Sequence, residues 1–331
     1  MRQVVALAPV RIDFGGGWTD VPPYTVEQGG CVCNLAIAMH ARVTLGDCAC
    51  GVEVSMENHS ARADRAGLLQ VEGDAALAAA ALRRAGLENV RLDIASDFPR
   101  GAGLGGSSAA GVAIAAAIAE WRHESPSRSE LAKRSRASEV EELGIAGGFQ
   151  DHYAAAYGGA LGLRFGAETE VEQLPLSDRL VAALERQCLV AYTGASRISG
   201  ATITAVLDAY RDRVPRVVNA LARMRALAEL MIEALKRESV DDLGLLVAEH
   251  WEHQRSLHEK IPTPLIDQIL EVARSHGALG GKALGASGGG CVLIIATAEC
   301  ITEVRERVSS LARILPCSVT RQGVSAIPSE G

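Results

Sequence analysis

The sequence predicts an α+β protein with two lobes. The chain has 331 residues, which exceeds the size at which a single hydrophobic core usually suffices. Short apolar runs that are typical of strands alternate with longer runs that are typical of helices, and helices dominate the second half. A glycine-rich segment at residues 99–110 leads directly into a helical run of small residues. These observations favour two packed units and a backbone loop that opens a helix.

Most of the predicted strands lie in the first half. Their apolar runs cover residues 4–14, 31–45, 51–56, 90–95 and 157–165. The helices predicted between them cover residues 75–85, 107–121 and 129–143, with Ser129 as the N-cap of the last. The polar segment 58–66 is predicted to be a loop. The charged segment 166–172 marks the expected boundary between an N-terminal domain, residues 1–170, and a C-terminal domain, residues 171–331.

The second half predicts several helices and few strands. Helical patterns cover residues 214–238, 243–257, 265–276 and 299–311. Strand-like runs cover residues 188–192, 291–296 and 317–322. This order of elements is typical of an α+β domain.

Composition narrows the classes of partner. The formal net charge is -7 and no long basic run is present, so nucleic acid is not expected to bind. The first residues do not resemble a signal peptide, and no apolar stretch reaches membrane-spanning length. We therefore expect a soluble cytoplasmic protein with small-molecule partners and no membrane contact. A homodimer is compatible with the sequence.

The cysteines and histidines do not predict a metal centre. The eight cysteines are expected to be reduced thiols, because a cytoplasmic protein of this size rarely carries a disulfide framework. Cys31 and Cys33 lie in strand-like sequence, where small buried thiols are common. His250 and His253 lie one helical turn apart, and we interpret them as surface histidines of a helix.

The segment Pro99–Ala110 has the chemistry of a phosphate site. A glycine-rich loop that opens a helix presents unpaired backbone N–H groups and the positive end of the helix dipole. Phosphate is the common biological anion at such a site. Two further glycine clusters, residues 11–20 and 280–290, also lie at element junctions. Neither a Walker A motif nor a Rossmann fingerprint is present. An ordinary glycine-rich turn is the alternative interpretation of each cluster.

The three clusters together resemble the motifs of the GHMP kinases. Residues 11–20 resemble the first motif, residues 99–110 the second, and residues 285–291 the third. The resemblance covers essentially the whole chain. It implies a two-lobed GHMP kinase fold, with an N-terminal lobe like the second domain of ribosomal protein S5 and a ferredoxin-like C-terminal lobe. It also implies ATP as the phosphoryl donor and Mg²⁺ as the cofactor.

The resemblance assigns the catalytic residues. Asp151 matches the acid that lies next to the reacting hydroxyl. Arg11 matches an arginine of the first motif that stabilises charge on the transferring phosphoryl group or holds Asp151 ionised. The alternatives are a helix-capping role for Asp151 and a structural ion pair for Arg11. The residues expected to bind ATP are Gly101, Gly103, Leu104, Gly105, Gly106, Ser107 and Ser108.

The resemblance also assigns the metal and substrate residues. Ser107 and Glu139 match the Mg²⁺ ligands, with Ser108 as the substitute for Ser107 and with Glu141 and Glu142 as competitors for Glu139. An acidic helix face in solvent is the alternative for these carboxylates. The residues expected to contact the substrate are Gly17, Trp18, Thr19, Asp20, Arg197, Gly288 and Gly289. A packing role for Trp18, a turn-forming role for Asp20 and a surface position for Arg197 remain open.

Within the family, the chain resembles the branch of heptose-phosphate kinases and fucokinases. Residues 147–159 are similar to the former, whereas Trp18 and residues 33–37 are similar to the latter. This implies transfer of the γ-phosphoryl group to the anomeric hydroxyl of a sugar. D-glycero-D-manno-heptose 7-phosphate is the first expected substrate, and L-fucose or another free sugar is the second. An inactive sugar- or nucleotide-sensing protein on the same fold is the more distant alternative.

Overall fold

The computed structural model describes residues 2–57, 59–72, 74–144, 147–194 and 200–330. The strands are β1 (Arg2–Gly15), β2 (Gly30–Asp47), β3 (Val52–Met56), β4 (His59–Ala63), β5 (Val90–Ser96), β6 (Ala160–Phe165), β7 (Thr169–Leu174), β8 (Cys188–Tyr192), β9 (Ala278–Ala283), β10 (Cys291–Ala296), β11 (Arg313–Leu315) and β12 (Ser325–Glu330). The helices are α1 (Tyr24–Gln28), α2 (Asp74–Ala85), α3 (Gly106–Trp121), α4 (Arg128–Arg136), α5 (Gln150–Tyr157), α6 (Asp178–Gln187), α7 (Gly200–Arg211), α8 (Pro215–Lys236), α9 (Val240–Ser256), α10 (Pro264–Ser275) and α11 (Ile301–Ser309). A 3₁₀ turn spans Ala66–Leu68, and a π-helical turn spans Ala137–Glu142.

The first lobe is built on a sheet that, within the described residues, has eight strands. Its main path runs β12-β1-β2-β5-β3-β4, and β6 pairs with both β2 and β7. The long antiparallel pair β1 and β2 forms its centre, and β1 is buried continuously from Ala8 to Gly15. Continuous burial means that both faces of this strand are covered. Polar side chains on this stretch are therefore held in fixed positions inside the protein.

The second lobe has a smaller antiparallel sheet with the order β11-β8-β10-β9. Helix α8 links the two lobes through one continuous apolar face. Its Leu221 and Met224 belong to the core of the second lobe, whereas Met231 and Ile232 belong to the core of the first. The two-lobed α+β architecture expected from the sequence is confirmed. None of the helices described is both long and apolar enough to cross a membrane.

The expected domain boundary at residue 170 is wrong in two respects. Strand β7 continues the first sheet from Thr169 to Leu174, across the expected boundary. Strand β12, near the end of the chain, returns to pair with β1 over Arg2 to Leu7. This pairing satisfies backbone groups of β1 that would otherwise form an open edge. The first lobe is therefore assembled from two separate stretches of the chain.

Three local expectations also need correction. Residues 59–63, expected in a loop, form β4 and pair with β3. Residues 317–322, expected to be a strand, contribute only an isolated bridge from Val319 to Ile37. Helix α4 is capped by Ser127 rather than Ser129, since Ser127 accepts from the Glu130 amide and the Glu130 carboxylate accepts from the Ser127 amide. This capping box is present in the sequence as Ser-x-x-Glu.

Candidate active site

The glycine-rich loop at residues 99–105 ends at the N-terminus of α3. Gly101, Gly103 and Gly105 all have positive φ, at 69°, 74° and 76°. Gly105 is the N-cap residue, and no side chain caps the helix. The amides of the first turn of α3, which includes Gly106, Ser107 and Ser108, therefore lack the usual capping partner. This is the donor arrangement that binds a phosphate group.

The third glycine cluster packs against this loop. The Cys291 amide donates to the Ala102 carbonyl at 2.8 Å. A Cβ on Gly103 would lie 2.6 Å from the Leu284 carbonyl oxygen, and one on Gly290 would lie 2.8 Å from the Ala102 oxygen. Two backbones approach here so closely that no side chain fits between them. The absence of side chains at Gly103 and Gly290 therefore allows the loop to pack against the second lobe.

Gly288 and Gly289 lie in that same cluster. Both have positive φ, at 77° and 141°. The Gly288 amide donates to the Ile261 carbonyl at 2.9 Å, so this N–H group is already used within the protein. Leu104 is similarly internal: it is buried, and its carbonyl accepts from the Arg11 amide at 3.0 Å. Contacts of Gly288 and Gly289 with substrate, and of Leu104 with ATP, stay predictions. The contacts that the structure shows support the glycine-rich segments themselves.

Arg11 and Asp151 meet beside the glycine-rich loop. Arg11 lies on β1 and is buried, and its Nε donates to Asp151 Oδ1 at 2.8 Å. Nη1 of the same guanidinium donates to the Gly103 carbonyl at 2.6 Å. One side chain thus joins the acid to the loop, and the planar fork of arginine is suited to these divergent contacts.

Asp151 also faces the start of α3. A Cβ on Gly105 would lie 3.1 Å from Asp151 Cγ. The Asp151 side chain remains 27% exposed, whereas that of Arg11 is 3% exposed. The carboxylate therefore borders both the helix N-terminus and open space, where a ligand hydroxyl and a phosphate can meet.

Asp20 caps the helix that carries Asp151. Its Oδ2 accepts from the amides of Phe149 at 2.8 Å and Gln150 at 3.0 Å. The capping role considered for Asp151 thus belongs to Asp20, which comes from a distant part of the chain. Burial raises the pKa of Asp20 to about 6, and the nearby carboxylate of Asp151 adds to the increase while the two amides oppose it.

The residues before Asp20 form a tight turn. Thr19 is fully buried, and its hydroxyl donates to the Gly16 carbonyl at 2.7 Å and accepts from the Cys31 amide at 3.2 Å. A Cβ on Gly17 would lie 2.5 Å from Asp13 Oδ2. The visible contacts of Thr19 hold the turn in shape, and a direct contact between Thr19 and substrate stays a prediction.

Trp18 packs in the core of the second lobe. Its φ is 76°, its side chain belongs to the cluster that contains Tyr24 and Met224, and it is 7% exposed. The indole nitrogen is buried and has no hydrogen-bond partner. The structure therefore supports the packing role, while stacking on a sugar stays a prediction. Arg197 lies outside the described residues.

Glu139 and Ser108, the substitute for Ser107, both lie against His152. Glu139 Oε2 lies 3.1 Å from His152 Nε2, and Ser108 Oγ lies 3.5 Å from the same nitrogen. Ser135 Oγ is 2.9 Å from Nδ1 of the ring. His152 directly follows Asp151, so this network joins the acid's helix to the start of α3. Sequence analysis missed His152, although its position next to Asp151 was visible.

Ser107 and Glu139 carry oxygen donors, which are the kind of ligand that suits Mg²⁺. Glu139 lies in the π-helical turn and is 12% exposed, and Ser107 is half-buried in the first turn of α3. Mg²⁺ prefers oxygen ligands and usually keeps waters and substrate phosphates, so two protein donors suffice. The competitor Glu141 is exposed and pairs with Arg84 at 3.2 Å. The side chain of Glu142 lies outside the described residues.

His250 is not a surface residue, which corrects the expectation. It is fully buried on α9, and its Nε2 accepts from the Gly16 amide at 2.9 Å. Burial lowers the pKa of this imidazole well below its ordinary value. A neutral ring with Nδ1 protonated is therefore the form that supports the first glycine cluster. Among the described residues, no group of three His, Cys, Asp or Glu side chains is arranged to hold a metal ion.

Two family models match the chain. The model for the GHMP kinases N terminal domain matches residues 73–159, and the model for the GHMP kinases C terminal domain matches residues 231–313. This chain belongs to the GHMP kinase family. Kinases of this family are ATP-dependent phosphotransferases with hydroxyl acceptors. The matched ranges include the glycine-rich loop at residues 99–105, Glu139, Asp151 and Lys282.

Two relatives are similar in sequence to this GHMP kinase over most of its length. It is 28% identical to the bifunctional fucokinase/GDP-fucose pyrophosphorylase of Arabidopsis thaliana, over 94% of the chain and 32% of that protein. It is 26% identical to the D-glycero-α-D-manno-heptose 7-phosphate kinase of Campylobacter jejuni, over 88% of each. The chain thus spans about a third of the length of the Arabidopsis relative.

Solved structures support the fold. A crystal structure of a D-glycero-D-manno-heptose 1-phosphate kinase from Bacteroides thetaiotaomicron superposes with a TM-score of 0.80. It is 24% identical and covers 99% of this chain and 100% of that one. The GHMP kinase fold expected from the sequence is therefore confirmed.

Proposed function

We propose that this GHMP kinase transfers the γ-phosphoryl group of ATP to the anomeric hydroxyl of a sugar. The observation that carries the proposal is the hydrogen bond of Asp151 to Arg11 together with the closeness of the Asp151 side chain to Gly105, the N-cap of α3. It puts a carboxylate, a guanidinium and a phosphate-binding helix end within reach of one another. Phosphoryl transfer needs this combination, because positioning and charge stabilisation supply most of its catalysis.

Each group has a defined task in the proposed reaction. The first turn of α3 binds the phosphates of ATP, and the hydroxyl oxygen of the sugar forms a bond to the γ-phosphorus. The bond from that phosphorus to the bridging oxygen of ADP breaks, and the hydroxyl proton passes to Asp151. Arg11 orients Asp151 and offsets negative charge near the transferring group. Mg²⁺ held by Ser107 and Glu139 would offset charge on the phosphates.

The first proposed acceptor is D-glycero-D-manno-heptose 7-phosphate. The support is the resemblance of residues 147–159 to heptose-phosphate kinases and the similarity to the Campylobacter jejuni enzyme. The segment includes the backbone that Asp20 caps and the acid itself. The residues proposed to surround the reacting hydroxyl therefore lie in the part of the chain that resembles this branch.

L-fucose is the second proposed acceptor. The support is the Gly-Trp-Thr-Asp turn at residues 17–20, with its indole nitrogen buried and unpartnered, and the similarity to the Arabidopsis protein. An indole N–H is a hydrogen-bond donor that a buried site normally satisfies. A free sugar hydroxyl is one group that accepts from it.

A sugar panel with product analysis tests both proposals. ADP release would be measured with each sugar, with mevalonate and with homoserine, and the new phosphate ester would be located by NMR. The proposal expects turnover with one of the two sugars and a phosphate at C1. Turnover with mevalonate or homoserine alone would reject the sugar assignment. Binding of ATP and sugar without any transfer would favour the inactive sensor.

A further inference from the structure

A buried polar cluster lies next to the catalytic pair and has no part in the proposed transfer. It consists of Asp13, Asn34, Gln150 and Lys282, all at least nine-tenths buried. Lys282 Nζ donates to Asp13 Oδ2 at 2.9 Å, and Asn34 Nδ2 lies 3.5 Å from Gln150 Oε1. Two acceptors of the cluster, Asp13 Oδ1 and Asn34 Oδ1, have no hydrogen-bond partner.

Strand geometry puts the two unpartnered atoms on the same face as Arg11. Asp13 and Asn34 are direct partners in the antiparallel register of β1 and β2, so their side chains project to the same side. Arg11 precedes Asp13 by two residues and therefore shares that face, at about 7 Å along the strand. This distance is comparable to the width of a sugar ring. The Cα atoms of Arg11 and Asp13 are thus about one sugar width apart along β1.

Gly17 forms a wall of the cluster. A Cβ at this position would lie 2.5 Å from Asp13 Oδ2 and 3.0 Å from Gln150 Nε2. The absence of a side chain on residue 17 therefore lets the turn before Asp20 lie directly against the cluster. Lys282 comes from β9 of the second lobe, so the cluster also lies where the two lobes meet.

Unpartnered buried acceptors need donors. Leaving a carboxylate or amide oxygen buried without a hydrogen bond is unfavourable, so such atoms are normally satisfied by ordered water or by a ligand. Lys282 already donates to Oδ2 of Asp13, so Oδ1 is the carboxylate oxygen that has no partner. The position beside Arg11 favours a ligand that also reaches the phosphoryl group.

We propose that Asp13 Oδ1 and Asn34 Oδ1 accept hydrogen bonds from hydroxyl groups of the acceptor sugar, away from the reacting hydroxyl. This inference rests on the proposed function and deepens it, because it makes Asp13 and Asn34 the specificity-determining residues. Both atoms are acceptors, so they select a donor group. A phosphate monoester at neutral pH presents mainly acceptor oxygens. The phosphorylated end of a sugar phosphate therefore binds elsewhere.

The first test is the Asn34→Ala variant, which removes one acceptor without creating an unpaired charge. With the sugar that the wild type phosphorylates, we expect the KM for the sugar to rise about tenfold or more, as for loss of one buried hydrogen bond. The KM for ATP should stay within about twofold, because the cluster is not part of the phosphate loop. Asn219→Ala, on the exposed face of α8, is the matched control and should change neither constant.

Monodeoxy sugars separate a direct contact from a structural effect. The wild type should reject the analogue that lacks the bound hydroxyl by about 100-fold or more in kcat/KM, because its buried acceptor would be left unpaired. Asn34→Ala, which has lost that acceptor, should discriminate far less between the sugar and the same analogue. A merely structural role for Asn34 would weaken both substrates equally and leave their ratio unchanged.

Asp13 is tested together with its partner. Asp13→Leu alone would leave Lys282 buried without a counter-ion, so the double variant Asp13→Leu, Lys282→Met, which removes the acceptor and the cation together, is used. It should also lose discrimination against a deoxy sugar. Wild-type turnover with unchanged discrimination in the folded Asn34→Ala variant would overturn this inference alone and indicate an internal water. Failure of the wild type to phosphorylate any sugar would overturn the proposed function, and this inference with it.

Discussion

Arg11 and Asp151 are 140 residues apart in the sequence, and a single guanidinium joins them. Nε and Nη2 of Arg11 both lie 2.8 Å from Asp151 Oδ1, and Nη1 lies 2.6 Å from the Gly103 carbonyl. Asp151 and the glycine-rich loop are therefore held together by the side chain of Arg11. Displacement of any of the three should affect phosphoryl transfer more than it affects the fold.

Replacing the acid should abolish most of the chemical step. We expect Asp151→Asn to lower kcat by about 10²–10⁴-fold, since the amide cannot accept the proton of the attacking hydroxyl. ATP binding should persist, because the amides of α3 are unchanged. Steady-state kinetics and nucleotide titration measure the two effects. Asp178→Asn, at a 98% exposed side chain, is the control. Wild-type kcat in Asp151→Asn would contradict the assignment.

Replacing the cation should reveal whether orientation matters beyond charge. Lysine at position 11 keeps the positive charge, but it lacks the planar fork that reaches Asp151 and Gly103 together. We expect Arg11→Lys to lower kcat/KM by about tenfold or more while the protein stays folded. Kinetics combined with thermal unfolding checks this. A variant with full activity would show that charge alone is sufficient at this position.

Much of this site was visible in the sequence because the signals are local. The loop at residues 99–105 and helix α3 follow from glycine and small-residue patterns, and β1 and β2 follow from apolar runs. The Asp13–Lys282 pair was not predictable, because its members are 269 residues apart and belong to different lobes. The burial of His250 was missed for the same reason, since only the fold brings α9 against Gly16.

The role of Asp20 shows the same limit at shorter range. Its place in the first motif was visible, and a turn-forming role was the alternative considered. The observed contacts with the amides of Phe149 and Gln150 cross 129 and 130 residues of sequence. No local pattern reports a helix cap that comes from elsewhere in the chain. By contrast, the box formed by Ser127 and Glu130 was local and should have been found.

The buried carboxyl of Asp20 should make stability depend on pH. Its pKa is about 6 in the folded protein against 3.8 for the free group. Because the folded form then binds the proton more tightly than the unfolded form, this group's contribution to stability falls as pH rises from about 4 to about 6. The full loss is about 3 kcal/mol above that range.

Asp20→Asn isolates this effect, because an amide oxygen can still accept from the two backbone N–H groups. We expect the free energy of unfolding of the variant, relative to wild type, to rise by about 3 kcal/mol between about pH 4 and pH 7. Urea unfolding at several pH values measures the difference, in which groups common to both proteins cancel. Parallel pH profiles for the two proteins would show that Asp20 is not the group responsible.

Adding a methyl group at Gly103 should separate backbone strain from contact between the lobes. Gly103 and Gly86 both have positive φ, at 74° and 58°, so alanine is strained at either position. A Cβ at Gly103 meets the Leu284 carbonyl oxygen at 2.6 Å, whereas one at Gly86 meets nothing within 4 Å. Gly86→Ala should therefore lose only about 1–2 kcal/mol of stability from strain. Gly103→Ala should lose at least about 1 kcal/mol more, since backbone atoms must move apart.

Gly103→Ala should also raise the KM for ATP, because the displaced segment is the loop proposed to bind the phosphates. Equal unfolding free energies and equal ATP constants in the two variants would mean that the loop does not depend on its contact with the second lobe.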